Sequence, residues 1–351
     1  MKKSTIALLM CFACTILQAW GEVEVDTDEK ARKALALFIV KETARHGDAA
    51  AQVKLGSMYA NGNDVPQDYK EAMKWYRLAA GKGNALGQAN VGTMYLNGNG
   101  VPQDYKEAVK WFRQSAKQSD LSAQVFLAMM YEFGMGVPTN YKEAAKWGRL
   151  AAEQGDASAQ TNFGFMCAVG KGVPQNYKEA LKWYRLAAEQ GYALAQVNLG
   201  TMYNHGQGVS QDYKEALKWY QLAADQGNAP AQSFLGLMYA TGKGVPQDGK
   251  EALKWYRLAA EQGEVTALNN LGIIYGSDQS KVRQIAAYAL FNLAAAKVHS
   301  SNNRSASNRD SQASRMSVQD IETAQDLTRE MSKPGHALKA LDEFANRPST
   351  N

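Results

Sequence analysis

The stretch "NYKEALKWYRLAAEQG", Asn176 to Gly191, decides the fold, because it recurs with small changes in five other places and its tryptophan keeps one interval. Trp75, Trp111, Trp147, Trp183, Trp219 and Trp255 stand thirty-six residues apart. Self-similarity at that period marks a stacked array of small helical units, and it outranks the 351-residue length as a guide to architecture. The units begin near Asp48, Asn84, Asp120, Asp156, Tyr192 and Asn228.

Each unit contains two helical patterns. In the opening unit the first, Ala49 to Ala60, turns Ala51, Leu55, Gly56, Met58 and Tyr59 to one side and Ala50, Val53, Lys54, Ser57 and Asn61 to the other. A loop such as "NGNGVPQD" follows, in which Gly98 and Gly100 are free to adopt positive φ and Pro102 bars continuation of the helix. The second helix opens on Asp68 and Glu71, and on the same pair type in every later unit, at capping-box spacing. Its pattern buries Tyr69, Ala72, Trp75, Tyr76 and Ala79, turns Lys70, Lys74 and Arg77 to water, and stops at Gly83.

One such hairpin encloses too little apolar surface to offset its chain entropy, so neighbouring hairpins must supply the missing core. Burying one tryptophan between them is worth roughly 4–6 kcal/mol. Gly56, Gly92, Gly164, Gly200, Gly236 and Gly272 lie inside first helices, where glycine costs ~1 kcal/mol relative to alanine. Their fixed register predicts a close approach of helices.

The ends read as caps. Asp28 to His46 aligns as a lone second helix, and a solenoid end needs such a cover. After Gly263 a seventh unit, 264–299, loses the proline loop but keeps "LNNLGIIY" and "YALFNLAAA". Composition makes residues 300–316 a linker, with a helix from Ser317 and a partly disordered tail from Pro334.

Residues 1–21 carry Lys2 and Lys3, an apolar run from Ile6 to Leu17, and small residues at Ala19 and Gly21, which reads as a secretory signal peptide. Export to the periplasm, or beyond it, is the expectation. Without the leader the formal charge falls from +5 to +3, and Cys167 is the only cysteine left. Acidic and basic residues alternate along the second helices, so no nucleic-acid partner is indicated, and no later segment has membrane-spanning length.

The pattern "AQ..LG.MY..G.GVPQ.Y.EA.KWYR.AA.QG", running from Asp48 to Gly263, closely resembles the Sel1-like repeat, a relative of the tetratricopeptide hairpin. The resemblance implies an all-α, right-handed superhelical α-α solenoid of hairpins with capping helices, the first helices lining its inner surface. It also implies a scaffold or adaptor that binds a protein or peptide along that surface, without catalysis or cofactor. It suggests, too, that the latter part of 300–316 is helical. Some disulfide-rich members of the family are linked with penicillin binding and weak β-lactamase activity, which makes a cell-wall-fragment or penicillin-binding hydrolase the alternative. This chain lacks their paired cysteines.

Partner choice would reside where the repeats differ. The first-helix column Lys54, Asn90, Phe126, Asn162, Asn198, Phe234 and Asn270 changes character from unit to unit. Its asparagines, Asn90, Asn162, Asn198 and Asn270, either grip a peptide backbone or bond to neighbouring helices. Unit three departs most, with Gly148 where the others carry an aromatic ring. Phe126, Met129 and Phe133 in that unit, with Phe165 in the next, form a hydrophobic patch or else fill the vacant ring space. Cys167 replaces the tyrosine of other units and reads as a buried, inert thiol. His46, His205, His299 and His336 have no partner at metal-ligand spacing, and no hydrolase signature occurs.

Overall fold

The structure, a computed structural model, describes residues 25–298, 303–333 and 335–345. The expected leader over 1–21 lies outside them. Every regular element among the described residues is a helix. The chain opens with α1 (Val25–Arg45), followed by α2 (Ala49–Asn61) and α3 (Tyr69–Gly81), α4 (Ala85–Asn97) and α5 (Tyr105–Ala116), and α6 (Leu121–Phe133) and α7 (Tyr141–Glu153). The hairpins continue as α8 (Ala157–Val169) and α9 (Tyr177–Glu189), α10 (Ala193–His205) and α11 (Tyr213–Asp225), α12 (Ala229–Thr241) and α13 (Gly249–Glu261), and α14 (Val265–Gly276) and α15 (Lys281–Ala296). Three helices follow, α16 (Arg304–Ala313), α17 (Val318–Met331) and α18 (Ala337–Ala345). The chain divides into two compact units, the first ending at Trp147 and the second starting at Gly148. Within each, a helix packs on its hairpin partner and on the helix that opens the next hairpin.

Local chemistry sets the hairpin. First helices start at Asp48, Asn84, Asp120, Asp156 and Asn228, each accepting the N–H three residues on, as Asp48 does from Ala51 at 2.7 Å. The second-helix caps depart from the reciprocal capping box. Asp68 accepts from the Lys70 and Glu71 amides, but its own N–H is already bonded to the Tyr59 carbonyl at 2.9 Å. Glu71 therefore has no orphan amide to reach back to, and pairs with Lys74 at 3.1 Å. Glu107, Glu143, Glu215 and Glu251 pair in the same way, whereas Glu179 accepts the Trp183 indole N–H at 2.8 Å.

The loop glycine Gly100 has φ +70°, and a Cβ there would lie 2.5 Å from the Tyr69 carbonyl oxygen of the preceding hairpin. In the first hairpin the equivalent residue is Asp64, also at positive φ (60°), facing α1 instead of a complete hairpin. Pairing of hairpins also runs through a glutamine ladder. Buried Gln160, Gln196 and Gln232 donate to Ala152, Ala188 and Ala224 carbonyls and accept from Gln190, Gln226 and Gln262 at 2.9 Å. These neutral groups stay hydrogen-bonded while removed from water, as a buried amide must. Helical spacing alone placed Val53 on the outer side of its helix, but it is buried against Tyr76 and Met73, because the stripe facing two neighbours is wider than one hairpin needs.

The C-terminal segments differ from composition. Within 300–316 the chain builds α16, whose cap Asn303 donates to the Ala295 carbonyl and whose Ser305 and Gln312 are buried. In place of a loose tail, α18 buries Leu338, Leu341 and Phe344 in the terminal core, and Asp342 pairs with Arg257 at 2.5 Å. Tertiary burial supplies what α16 lacks in intrinsic helix propensity, and it holds the short α18, whose residues are good helix formers, in place.

Candidate functional site: the first-helix face

The helix-one glycines are explained by rings. A Cβ on Gly56 would stand 2.6 Å from the Tyr76 ring, one on Gly236 2.6 Å from Tyr256, and one on Gly272 2.6 Å from Phe291. The aromatic of the second helix thus lies flat on the bare backbone of its own first helix. Gly148 is the second-helix residue that brings no ring, and in the same repeat alanine, Ala128, stands at the glycine position.

In three places the next hairpin covers that ring with a residue of the variable column. Phe126 stacks on Phe112 with centroids 4.9 Å apart and planes at 22°, and Phe234 stacks on Tyr220 at 4.9 Å and 28°. Asn270 hydrogen-bonds the Tyr256 hydroxyl. Asn90, Asn198 and Asn270 are half-buried accordingly, whereas Asn162, fourteen residues after ring-less Gly148, is exposed. Burial pushes the Tyr256 and Tyr220 hydroxyls up to about 12, opposed in part by the bonds from Asn270 and Thr201. Phe126 and Asn270 therefore have a role in joining hairpins.

One helical turn further on lies a second variable row, which sequence reasoning entered only at Met129 and Phe165. Its members in the first unit are Ser57, Thr93 and Met129; in the second they are Phe165, Thr201, Leu237 and Ile273. Ser57 and Thr201 hydrogen-bond the Tyr76 and Tyr220 hydroxyls at 3.2 and 3.1 Å. In the second unit the apolar members of the row face solvent: Phe165, Leu237 and Ile273 are 49%, 45% and 51% exposed. In the first unit Met129 is half-buried and Phe133, one turn beyond, is 68% exposed. The available signal for Leu237 and Ile273 was a large apolar residue outside the register shared by all repeats.

Charge is distributed unequally between the two helix types. α8, α10, α12 and α14 contain no Asp, Glu, Lys or Arg, although one face of each is in water. The second helices carry the charges, and Arg77, Arg113 and Arg185 reach the hydroxyls of Tyr95, Tyr131 and Tyr203 on the following first helices. Cys167 breaks that series, and Arg149 turns to Glu153 at 2.8 Å. Cys167 is 3% exposed, and burial raises its thiol to about 11, which keeps it protonated at neutral pH. Among the described residues no cluster of three or more His, Cys, Asp or Glu could hold a metal ion, and no helix is long and apolar enough to cross a membrane.

Comparison with known proteins agrees with this geometry. The Sel1 repeat model matches seven consecutive segments, 49–84, 85–120, 121–156, 157–192, 193–228, 229–264 and 265–299. The crystal structure of a Sel1 repeat protein from Oxalobacter formigenes is 34% identical, with a TM-score of 0.61, over 69% of this chain and 96% of that one. The structure of c5321, described as a protective antigen of uropathogenic Escherichia coli with an SLR fold, is 28% identical over 90% of this chain and 83% of that chain, with a TM-score of 0.42. The secretory immunoglobulin A-binding protein EsiB of Escherichia coli O6:H1 (strain CFT073) is 35% identical over 81 residues, 22% of this chain and only 14% of that protein. Seven matched repeats, each a pair of helices, place the chain in the Sel1 repeat family, whose members are generally protein-interaction scaffolds.

Proposed function

We propose that this protein is an exported, non-catalytic scaffold that docks a protein or peptide on its first-helix face. The observation that carries the reading is the charge-free surface of α8, α10, α12 and α14, which displays Phe165, Leu237 and Ile273 to solvent. Apolar groups of this size, kept in water at repeat intervals, add nothing to the core and gain free energy only when another molecule covers them. In the second unit the docking residues are Phe165, Leu237 and Ile273, flanked by Asn162 and Asn198. In the first unit they are Met129 and Phe133, flanked by Asn90. The polar side chains orient the partner, and the apolar ones supply the free energy of binding.

Export rests on the character of residues 1–21 and agrees with a relative that binds a secreted antibody. A photo-crosslinking amino acid placed at Leu237, in the native cell, tests the docking face. The control is Leu222, also 45% exposed but on a second helix. Discrete protein adducts from position 237 and not from 222 are expected; adducts from 222 alone would reject the first-helix face.

A further inference from the structure

The first and the last second helices break one rule that the repeats between them keep. In all six repeats the second helix turns a Lys-Glu pair and a further lysine to water, Lys70, Glu71 and Lys74 in the first and Lys250, Glu251 and Lys254 in the sixth. On α15 these positions hold Ile285, Ala286 and Ala289, in a register fixed by Gly272, which meets the Phe291 ring as Gly236 meets Tyr256. All three are buried. Helix α17 covers this side of α15: Asp320 pairs with Lys281 at 2.9 Å, Thr328 donates to the Ala289 carbonyl at 3.5 Å, and Ala324, between these contacts, is fully enclosed. Loss of the charges and gain of a covering helix go together there.

The same exchange occurs on α1. Its register is fixed by Gln52, which donates to the Ala44 carbonyl at 3.1 Å as Gln160 does to that of Ala152. Ala34, Leu35 and Phe38 therefore stand where the first repeat has Lys70, Glu71 and Lys74. With Ala31 they fall at i, i+3, i+4 and i+7, a stripe on the side opposite Val40 and Ala44, which pack on Leu55 of α2. Among the described residues no helix covers this stripe. Phe38 is 55% exposed, Ala31 and Ala34 are exposed, and Leu35 is half-buried. Apolar groups in a row on a helix face gain free energy when covered, as those of α15 are.

We infer that a second copy of this chain supplies the missing helix, with α1 packing antiparallel on α1 about a two-fold axis near Ala34 and Leu35. Three features select this occupant. The stripe complements itself, because antiparallel pairing about that point sets each Phe38 ring against the small Ala31 of the other copy. The ends complement each other as well. The helix starts with Asp26, Asp28 and Glu29 and finishes with Lys41 and Arg45, so opposed ends attract in the antiparallel arrangement and like ends repel in the parallel one. Finally, its five basic and four acidic residues leave the helix close to neutral, and two copies meet without net repulsion. A single helix pair falls below the ~1,200 Å² buried by stable complexes, so the dimer is weak and depends on concentration. It leaves the first-helix face free, does not rest on the docking reading, and joins two such faces in one particle, which favours a partner with repeated sites.

The test is sedimentation velocity of the purified protein across a wide range of concentration. The weight-average mass should rise from one chain toward two. Leu35→Glu combined with Phe38→Lys, which restores the Glu-Lys pair of the repeats, should hold the mass at one chain throughout and leave the melting temperature of the dilute protein unchanged. Ala34→Cys, close to the axis, should give a disulfide-linked dimer in air, and Lys30→Cys, away from the stripe, should not. A photo-crosslinking amino acid at position 38, in cells, should give an adduct of two chains. A monomer at every concentration, a dimer that survives the double substitution, or adducts from position 38 with other proteins only would each overturn the inference.

Discussion

Adding one methyl group to Gly236 tests the physical basis of the array. Alanine at this helical position should stabilise by ~0.8–1.0 kcal/mol on propensity. The new Cβ, however, would sit 2.6, 2.7 and 3.0 Å from three atoms of the Tyr256 ring, where carbon contacts normally settle near 3.5–4.0 Å. Tyr256 is 2% exposed, so its ring has no free direction to move, and overpacking of this kind costs about 1–3 kcal/mol. Gly236→Ala should therefore destabilise by about 1 kcal/mol in the natural chain.

Removing the ring should reverse the sign. Tyr256→Ala costs about 3–5 kcal/mol by itself, but in that background the obstacle is gone and Gly236→Ala should stabilise by nearly its full propensity. The double-mutant cycle then shows a coupling of about 1–3 kcal/mol. Urea unfolding followed by circular dichroism, with hydrogen exchange in α12 and α13 to localise the effect, measures it. The same change in stability in both backgrounds would refute the glycine–ring account. The repeat carrying Ala128 and Gly148 already has the glycine and ring exchanged for alanine and glycine.

Other outcomes follow from the same packing. Gln52 Oε1 is buried without a partner, and Lys82, at the ladder position, bonds the Gly47 carbonyl; the equivalent Gln190 serves both Gly155 and Gln160. Lys82→Gln should raise stability by about 1 kcal/mol in thermal unfolding. Because burial raises the Tyr220 and Tyr256 hydroxyls to about 12 in the folded chain, above the ordinary tyrosine value near 10, their contribution is complete below pH 10 and is lost as pH rises toward 12. Melting temperature should accordingly fall across that window, and less steeply in Tyr220→Phe and Tyr256→Phe chains. Nitrocefin should pass unhydrolysed, whereas turnover would revive the hydrolase reading.

The thirty-six-residue register by itself determined the helical hairpin, its loop, its caps and its need for neighbours. All of these follow from periodicity and turn chemistry acting within a few residues, and they are legible in "NYKEALKWYRLAAEQG" and its copies. Only the tertiary structure decided which variable residues are spent on joining hairpins and which remain in water. Phe126 and Phe234 sit against rings fourteen residues earlier, while Leu237 and Ile273 remain exposed. The same apolar residue types serve both purposes, so composition cannot separate them. The separation depends on where a neighbour's ring arrives, and that is set by packing between hairpins. The helix α16 makes the same point, since its own sequence favours loop and it forms with Ser305 and Gln312 buried against its neighbours.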